Sequence, residues 1–312
     1  MPSIDLRVQN FAGIVGPPNG WTVWRLSWPK LVWAAITVGR GSLAHVMQHG
    51  QFSMFEIVYR SAILYANLLE RPDGYFGRSE AYDGLDPSEK GAISYFLGLT
   101  LTKAFAEQML NIPWLMHFDV YRPRFPMDIL PGERPDLFGQ DDQGRWVVAE
   151  SKGRTNEHDA MALQKAKNQS SQVVDIGGVP PSLHMGVVAS FNSGRLTLVA
   201  DDPPPTRERT PIRIKVTKDE FRNDYYRPFR AALQEFGRRE RHFGRDVLVA
   251  RDDSVGLSFG ILEDHPEQGW NHASDVPLAT DVSEYLGNDG VYVLLGDAWR
   301  PDKMREEPQA RR

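Results

Sequence analysis

The sequence predicts an α/β fold in which a mixed β-sheet is flanked by helices. Three observations in the middle of the chain indicate this class. Leu85 to Glu89 has the features of a helix start, Arg134 to Lys152 contains two apolar stretches around a polar turn, and His184 to Ala200 contains two more. Strand and helix patterns that alternate along a chain are typical of helices packed on a sheet.

The first core element is a long helix that should run from Asp86 to about Leu110. Asp86 is a favourable N-cap residue, Pro87 stands at the first helical position, and Glu89 at the third completes a capping box. The following segment, Trp114 to Tyr121, alternates weakly between apolar and polar residues and is predicted as the first core strand.

The next two strands should form a hairpin. Arg134 to Phe138 and Arg145 to Lys152 flank Gln140 to Gly144, whose Asp and Gly residues tolerate the backbone angles of tight turns. The two stretches should therefore be antiparallel neighbours, with Asp136 facing the strand that carries Glu150. Both faces of that strand are apolar before its charged end, so it should be central in its sheet.

The core continues with a helix and a second strand pair. Asn156 to Val174 is predicted as a polar helix. His184 to Phe191 and Arg195 to Ala200 are predicted strands, joined by a hairpin turn at residues 192–194 (Asn-Ser-Gly). Residues 85–205 therefore form the predicted α/β core.

Both ends of the chain lie outside this predicted core. Residues 1–84 contain several tryptophans and are predicted as a helical N-terminal region. Residues 206–300 are predicted as an α+β extension, which either continues the sheet or forms its own domain. Residues 301–312 are predicted to be a disordered tail.

Charged residues at the end of the third predicted strand need partners. Glu150 and Lys152 share one face of that strand, and Asp136 approaches them across the hairpin. Buried charges are unfavourable unless they are paired. A divalent cation between Asp136 and Glu150 would be such a partner. The alternative is an unrelated α/β protein in which Glu150 and Lys152 form a structural ion pair.

The order Pro135-Asp136 and then Glu150-Ser151-Lys152 resembles the motif of the PD-(D/E)XK nuclease superfamily, which has the restriction-endonuclease-like fold. The resemblance extends from the helix before residue 111 to the strand near residue 200. It implies that Asp136, Glu150 and the backbone carbonyl of Ser151 hold Mg²⁺ or Mn²⁺. It also implies that Lys152 positions the attacking water or helps to deprotonate it.

A further acidic ligand is implied by the same resemblance. In many families of the superfamily, the helix before the first core strand supplies another acid at the metal site. Glu107, near the end of the predicted helix, is the candidate in this chain. The alternative is that Glu107 is a solvent-exposed helix residue.

The chemistry implied by the resemblance is metal-dependent hydrolysis of a phosphodiester bond. Mg²⁺ prefers oxygen ligands, lowers the pKa of a bound water and polarises the phosphoryl oxygen, while a lysine stabilises negative charge in the transition state. The expected substrate is nucleic acid, DNA rather than RNA, in restriction, repair or defence. The alternative is a non-catalytic nucleic-acid-binding or assembly module. Besides nucleic acid, the partners compatible with this resemblance are a second copy of the chain, in a homodimer, or an activating protein.

Basic and aromatic residues are interleaved between residues 206 and 245, where a capping box at Thr217 to Glu220 should open another helix. Phosphate contact by its arginines and base stacking on its tyrosines would suit a nuclease. A solvent-exposed basic helix face produces the same pattern and is favoured for most of these residues. The candidate contacts to nucleic acid, on this helix and on the polar helix of the core, are Gln164, Lys165, Arg222, Arg227 and Arg230.

The composition limits the function classes. A net charge of -5 argues against a protein that coats nucleic acid through bulk positive charge. The sequence contains no cysteine, which excludes a disulfide framework and a thiolate zinc site. No apolar stretch is long enough for a membrane span, and we expect a cytoplasmic protein with no membrane partner.

Overall fold

The computed structural model describes residues 1–11, 18–38, 51–128, 134–157, 160–202, 211–263 and 283–300. The described part is a mixed α/β structure in which a mixed sheet is flanked by helices. The predicted tail at 301–312 and the predicted domain boundary at 205–206 lie outside the described residues.

The strands are numbered in chain order. They are β1 (Ser3–Gln9), β2 (Gly20–Arg25), β3 (Leu68–Glu70), β4 (Phe76–Arg78), β5 (Trp114–His117), β6 (Met127–Asp128), β7 (Leu137–Gln140), β8 (Trp146–Gly153), β9 (Val173–Ile176), β10 (Leu183–Asn192), β11 (Arg195–Asp201), β12 (Ile212–Ile214), β13 (Arg238–His242), β14 (Arg245–Asp252), β15 (Leu257–Leu262), β16 (Glu284–Leu286) and β17 (Val291–Leu295).

The helices are numbered in the same way. They are α1 (Trp28–Val38), α2 (Gln51–Asn67), α3 (Glu80–Gly84), α4 (Pro87–Leu110), α5 (Phe118–Tyr121), α6 (Ala160–Ser170) and α7 (Lys218–Phe236), and a short 3-10 helix spans Asp297–Trp299.

The largest sheet has nine strands, and its main path has the order β2-β1-β11-β10-β8-β7-β5. The pair β7 and β8 is antiparallel, β8 and β10 are parallel, β10 and β11 are antiparallel, and β11 and β1 are parallel. The small strand β4 pairs with β11 and with β3. The strand β8 is therefore central, as the apolar residues on both of its faces predict.

Helices cover both faces of the central strands. A Cβ atom built on Gly98 of α4 would lie 2.9 Å from the Ser151 hydroxyl, so α4 covers the face of β8 that carries Ser151. A Cβ atom on Gly186, the register partner of Glu150, would instead meet Ala166 and Lys167 of α6. The helices α4 and α6 thus lie on opposite faces, because successive residues of a strand point to opposite sides.

Several local predictions are confirmed. Helix α4 begins at Pro87 behind a complete Asp86–Glu89 capping box, and α7 begins behind an equivalent box at Thr217 and Glu220. The β7–β8 and β10–β11 hairpins are antiparallel as expected. Three elements have boundaries different from those predicted. The strand predicted from Arg134 to Phe138 is β7, Leu137–Gln140, so Asp136 lies just before the strand. The strand from Trp114 ends at His117, where α5 follows, and α6 ends at Ser170, so that Val173 starts β9.

The prediction of a helical N-terminal region is wrong in part. Residues 3–9 and 20–25 form strands, and β1 pairs with β11 in the main sheet. In β1, Ile4, Leu6 and Val8 are buried and alternate with more polar neighbours, which is the period of a strand covered on one face. Helices α1 and α2 follow these strands.

The C-terminal strands form a separate sheet with the order β13-β14-β15-β17-β16. Its apolar residues Phe259, Val291 and Val293 nevertheless belong to the same continuous hydrophobic cluster as Leu6, Phe105 and other residues of the main sheet and its helices. The division of the chain into domains stays a prediction. No helix in the described ranges has both the length and the apolar character to cross a membrane.

Candidate active site

The candidate site is formed where β8 passes closely under α4. A Cβ atom on Gly153 would lie 1.7 Å from the backbone oxygen of Ser94, and one on Gly98 would lie 3.0 Å from the amide nitrogen of Gly153. Only glycine at these positions allows so close an approach of helix and strand. The charged end of β8 is consequently held against the first half of α4.

Asp136 and Glu150 meet across the β7–β8 hairpin. The amide of Asp136 donates to Glu150 Oε2 at 2.8 Å, and the amide of Ser151 donates to Asp136 Oδ2 at 3.1 Å. Glu150 is 1% exposed, whereas Asp136 is half-buried. The predicted approach of Asp136 to the Glu150 strand is therefore confirmed. Ser151 contacts Asp136 through its amide, and a role for its carbonyl stays a prediction.

Lys152 completes the charged group. Its ammonium donates to Glu150 Oε1 and forms an ion pair with it, while its side chain remains 19% exposed. Residues 150 and 152 lie on the same face of β8, as the alternation of strand residues requires. The three residues of the predicted motif are thus brought together, with the lysine on the solvent side of the buried glutamate.

Two residues that the sequence prediction missed lie beside Asp136. The Tyr95 hydroxyl is 3.5 Å from Asp136 Oδ1 and 3.0 Å from His117 Nε2. His117 ends β5 and pairs with Leu137, the residue after Asp136. Tyr95 and Gly98 are three residues apart and therefore lie on the same face of α4. This shared face was the sequence signal that could have placed Tyr95 near the strand.

A third missed residue links α6 to the Asp136 loop. The buried Gln169 donates through Nε2 to the backbone oxygen of Arg134 at 3.3 Å. Arg134 in turn forms an ion pair with Asp119, with Nε and Oδ1 2.9 Å apart. These contacts hold the segment immediately before Asp136, so that its carboxylate is fixed from both α6 and the start of α5.

The electrostatics of the pair reflect two acids in a small buried space. The pKa of Glu150 is raised to about 8, mainly by burial and secondly by the negative charge of Asp136. Burial also raises the pKa of Asp136, although the Ser151 amide and Lys152 oppose that shift. Burial raises the pKa of Tyr95 and lowers the pKa of His117, which favours their neutral forms.

The donor set fits a small, hard divalent cation. Asp136 and Glu150 offer four carboxylate oxygens, and each oxygen has lone pairs beyond its protein hydrogen bonds. When both acids are ionised, they carry one negative charge more than Lys152 neutralises, and a cation would balance it. Mg²⁺ typically needs only one or two protein carboxylates, because waters and substrate phosphate fill its other positions. Within the described ranges, no group of three or more His, Cys, Asp or Glu side chains could hold a metal ion.

The prediction that Glu107 is a further metal ligand is corrected. Glu107 lies twelve residues beyond Tyr95 on α4, which places it about 18 Å further along the helix axis. Its carboxylate is buried and pairs with Lys30 at 2.7 Å. It also accepts hydrogen bonds from the Tyr285 hydroxyl and the Asn288 amide. Glu107 is therefore neither a metal-site residue nor a solvent-exposed one in this structure.

The predicted contact of Arg222 with nucleic acid is also corrected. Arg222 is 7% exposed, donates to Gln140 Oε1 at 2.7 Å and covers the ring of Trp114. Gln140 is at the turn end of the hairpin, about 13 Å from Asp136 along β7. Burial lowers the pKa of Arg222 to about 10. The arginine is thus a packing residue on the side of the hairpin away from the site.

The other predicted contacts lie on helix surfaces. Gln164 and Lys165 are exposed on α6, and Gln164 donates to Asn168 Oδ1 at 3.2 Å. Arg227 is 3.6 Å from Asp224, and Arg230 donates to Asn223 at 3.4 Å. Their contact with nucleic acid stays a prediction. The alternative in which bases stack on the tyrosines of α7 is wrong, because Tyr225 and Tyr226 are buried in the core.

Comparisons of the chain with protein-family models, with curated proteins and with solved structures found no match.

Proposed function

We propose that this protein is a metal-dependent nuclease that hydrolyses phosphodiester bonds in nucleic acid, with a core of the restriction-endonuclease-like type. The observation that carries the proposal is the meeting of Asp136, Glu150 and Lys152 at the charged end of a central strand. Two neighbouring acids, one buried and one half-buried, with a lysine beside them are the groups that such a reaction requires.

Each residue has a defined part in the proposed reaction. Asp136 and Glu150 would hold Mg²⁺ or Mn²⁺, which when bound would lower the pKa of a water and polarise the phosphoryl oxygen. Lys152 would be displaced from Glu150 toward the solvent side, where its ammonium stabilises negative charge on the phosphate. Tyr95 and His117 would fix the orientation of Asp136 through the hydrogen bonds of the tyrosine hydroxyl.

The order of elements around the site supports the proposed fold type. Helix α4 precedes β5, β7 and β8, which are consecutive antiparallel neighbours, and α6 then leads toward β10, parallel to β8. The resemblance in sequence covers the same segment. A role in restriction, repair or defence, and a preference for DNA, belong to this proposal by analogy with the superfamily.

A non-catalytic module is the second candidate. The observation that favours it is the ion pair between Lys152 and Glu150, in which each side chain already has a partner of opposite charge. Such a pair would be purely structural if no metal displaced the lysine. The two candidates therefore differ in whether divalent metal binds at Asp136 and Glu150.

The deciding experiment is a gel assay with supercoiled plasmid, linear duplex DNA, single-stranded DNA and single-stranded RNA, in Mg²⁺, Mn²⁺ or EDTA. We expect metal-dependent cleavage by the wild type. Asp136→Asn, Glu150→Gln and Lys152→Met should each lower the rate by at least about 10²-fold. Each variant removes a charged side chain that would hold the metal or stabilise the transition state.

Matched controls come from the exposed ion pair of Asp128 and Lys215, in which Oδ2 and Nζ are 3.5 Å apart. Asp128→Asn and Lys215→Met change the same charges on β6 and next to β12, outside the group formed by Asp136, Glu150 and Lys152, and should leave the rate unchanged. Cleavage that persists in all three site variants would reject the assignment. A wild type that binds nucleic acid but cleaves none, with or without metal, would favour the module.

A further inference from the structure

A cavity adjoins the candidate active site. It has a volume of about 380 Å³ and lies between α2, the first half of α4 and the end of β5. This volume falls in the range of small-molecule pockets, about 300–1,000 Å³. The cavity therefore has room for a planar heterocycle of the size found in nucleotides.

Aromatic rings and apolar side chains form most of its wall. Tyr59, Tyr95 and Phe96 supply the rings, and Ile63, Ile93 and Leu99 supply aliphatic surface. Tyr59 is 52% exposed and Tyr95 is 42% exposed. Two partly exposed rings therefore contribute to the wall of the cavity.

Three residues of the cavity wall, His117, Glu56 and Arg60, carry ionisable polar groups other than tyrosine hydroxyls. His117 lines the cavity, and its Nδ1 atom is buried with no hydrogen-bond partner among the described residues. Glu56 also lines the cavity and pairs with Arg60 at 2.8 Å. The polar part of the wall is therefore His117 and the Glu56–Arg60 pair, and the rest is aromatic or apolar.

The cavity and the site share two side chains. Tyr95 and His117 line the cavity, and the Tyr95 hydroxyl is 3.5 Å from Asp136 Oδ1. A ligand stacked on Tyr95 would therefore lie one side chain away from a phosphate held at Asp136. In a nucleic-acid strand, the group at that distance from a phosphate is the base of the adjoining nucleotide.

We propose that this cavity receives an unpaired nucleobase next to the scissile phosphate, so that the substrate is single-stranded or has a base flipped out of the duplex. This inference rests on the proposed nuclease function and specifies its substrate class. A base paired inside a duplex presents no free face for stacking between side chains and must be unstacked first.

The test measures base stacking separately from cleavage. Short single-stranded DNA and RNA would carry the fluorescent base 2-aminopurine at each position in turn and would be titrated with protein in Ca²⁺. Two further arms use a perfect duplex and a duplex with the fluorescent base in a bulge. We expect quenching at one position of the single strand and in the bulge, with weaker binding of the perfect duplex.

The variants isolate the cavity. Tyr59→Ala removes a ring from the exposed face of α2, and Ile93→Trp fills the space; each should weaken binding about tenfold and abolish the quenching. Tyr59→Phe keeps the ring and should bind as the wild type does. Phe236→Ala removes an aromatic ring that is 48% exposed at the end of α7 and should change nothing.

The outcomes separate this inference from the proposed function. Cleavage in the gel assay without quenching, or equal quenching in Tyr59→Ala, would overturn the base pocket and leave the nuclease intact. Quenching that depends on Tyr59, without cleavage in any metal, would support the pocket and overturn the catalytic proposal. Failure to bind any oligonucleotide would overturn both.

Discussion

The charge of Glu150 depends on its surroundings more than on its own chemistry. Burial and the neighbouring Asp136 raise its pKa to about 8, so it keeps its proton to a higher pH than an exposed glutamate does. An acid whose pKa is raised on folding stabilises the fold fully below its unfolded value, near 4.5, and loses that contribution as the pH rises through the folded value. Glu150 should therefore destabilise the metal-free protein at alkaline pH.

The first prediction concerns the stability of Glu150→Gln, in which the side chain keeps the shape of glutamate but cannot ionise. In EDTA at about pH 8, the variant should be more stable than the wild type by about 1 kcal/mol or more, and the difference should shrink toward about pH 5. Urea unfolding at both pH values measures it. Asp128→Asn, an exposed carboxylate, should show no such dependence. Equal pH profiles for the wild type and Glu150→Gln would contradict the prediction.

The second prediction concerns metal and stability. Mg²⁺ or Mn²⁺ should raise the melting temperature of the wild type, because a ligand that binds only the folded state stabilises it by about 2.7 kcal/mol at 100 times its Kd. Asp136→Asn and Glu150→Gln should lose most of this increase. Metal binding near neutral pH should also release a proton from Glu150, which isothermal titration in two buffers detects. An equal thermal shift in both variants would place the metal elsewhere.

At the scale of elements, the contact between α4 and β8 fixes the site. Gly153→Ala would place a methyl group 1.7 Å from the Ser94 oxygen, so the helix must move off the strand. We expect a loss of about 2–4 kcal/mol in the free energy of unfolding, since overpacking is destabilising, and a lower rate of the proposed cleavage. Gly91→Ala is the matched control, because Gly91 lies on the same helix with nothing within 4 Å of the added Cβ atom.

The control should behave in the opposite way. An alanine at an exposed helix position is favoured over glycine by up to about 1 kcal/mol. The midpoint of urea unfolding should therefore rise for Gly91→Ala and fall for Gly153→Ala. If both variants unfolded at the wild-type midpoint, the close approach of α4 and β8 would be in doubt.

Local sequence signals predicted where helices and hairpins form better than they predicted which elements pack against each other. The capping residues Asp86 and Thr217 predicted two helix starts, and the residues around Gly144 predicted the central hairpin. Glu107 was misplaced because a helix pattern does not show which turn of the helix meets the strand. Arg222 was misplaced because a buried arginine over an aromatic ring has the same sequence signature as an exposed one.

At the scale of the whole molecule, a buried polar cluster joins the C-terminal sheet to the core. Asp289 accepts hydrogen bonds from the Tyr225 hydroxyl at 2.5 Å and from Trp33 Nε1 at 3.0 Å. Lys103 donates to the same Tyr225 hydroxyl at 2.9 Å and to the backbone oxygen of Pro113. The cluster therefore links α1, α4, α7 and the turn between β16 and β17. Sequence alone could not predict it, because its members are far apart in the chain.

The fourth prediction is that Asp289→Ala destabilises the whole protein. Removal of the carboxylate leaves Lys103 buried without its nearest opposite charge and Tyr225 without an acceptor, which should cost about 3–5 kcal/mol. Asp253→Ala, at an exposed turn of the same C-terminal sheet, should change stability by less than about 0.5 kcal/mol. Circular dichroism and tryptophan fluorescence in urea measure both variants. Separate transitions for the two probes would show that the C-terminal sheet unfolds independently.

The pairing of β1 with β11 has a consequence for the order of events during synthesis. Asp5 lies opposite Thr197, so β1 leaves the ribosome about 190 residues before its partner. At about 5–20 residues per second, this strand waits on the order of 10–40 s without its parallel neighbour. During that interval its apolar side chains are available to other nascent chains. Slow translation upstream of β11 should therefore increase aggregation, whereas release of a complete chain should allow rapid closure of the sheet.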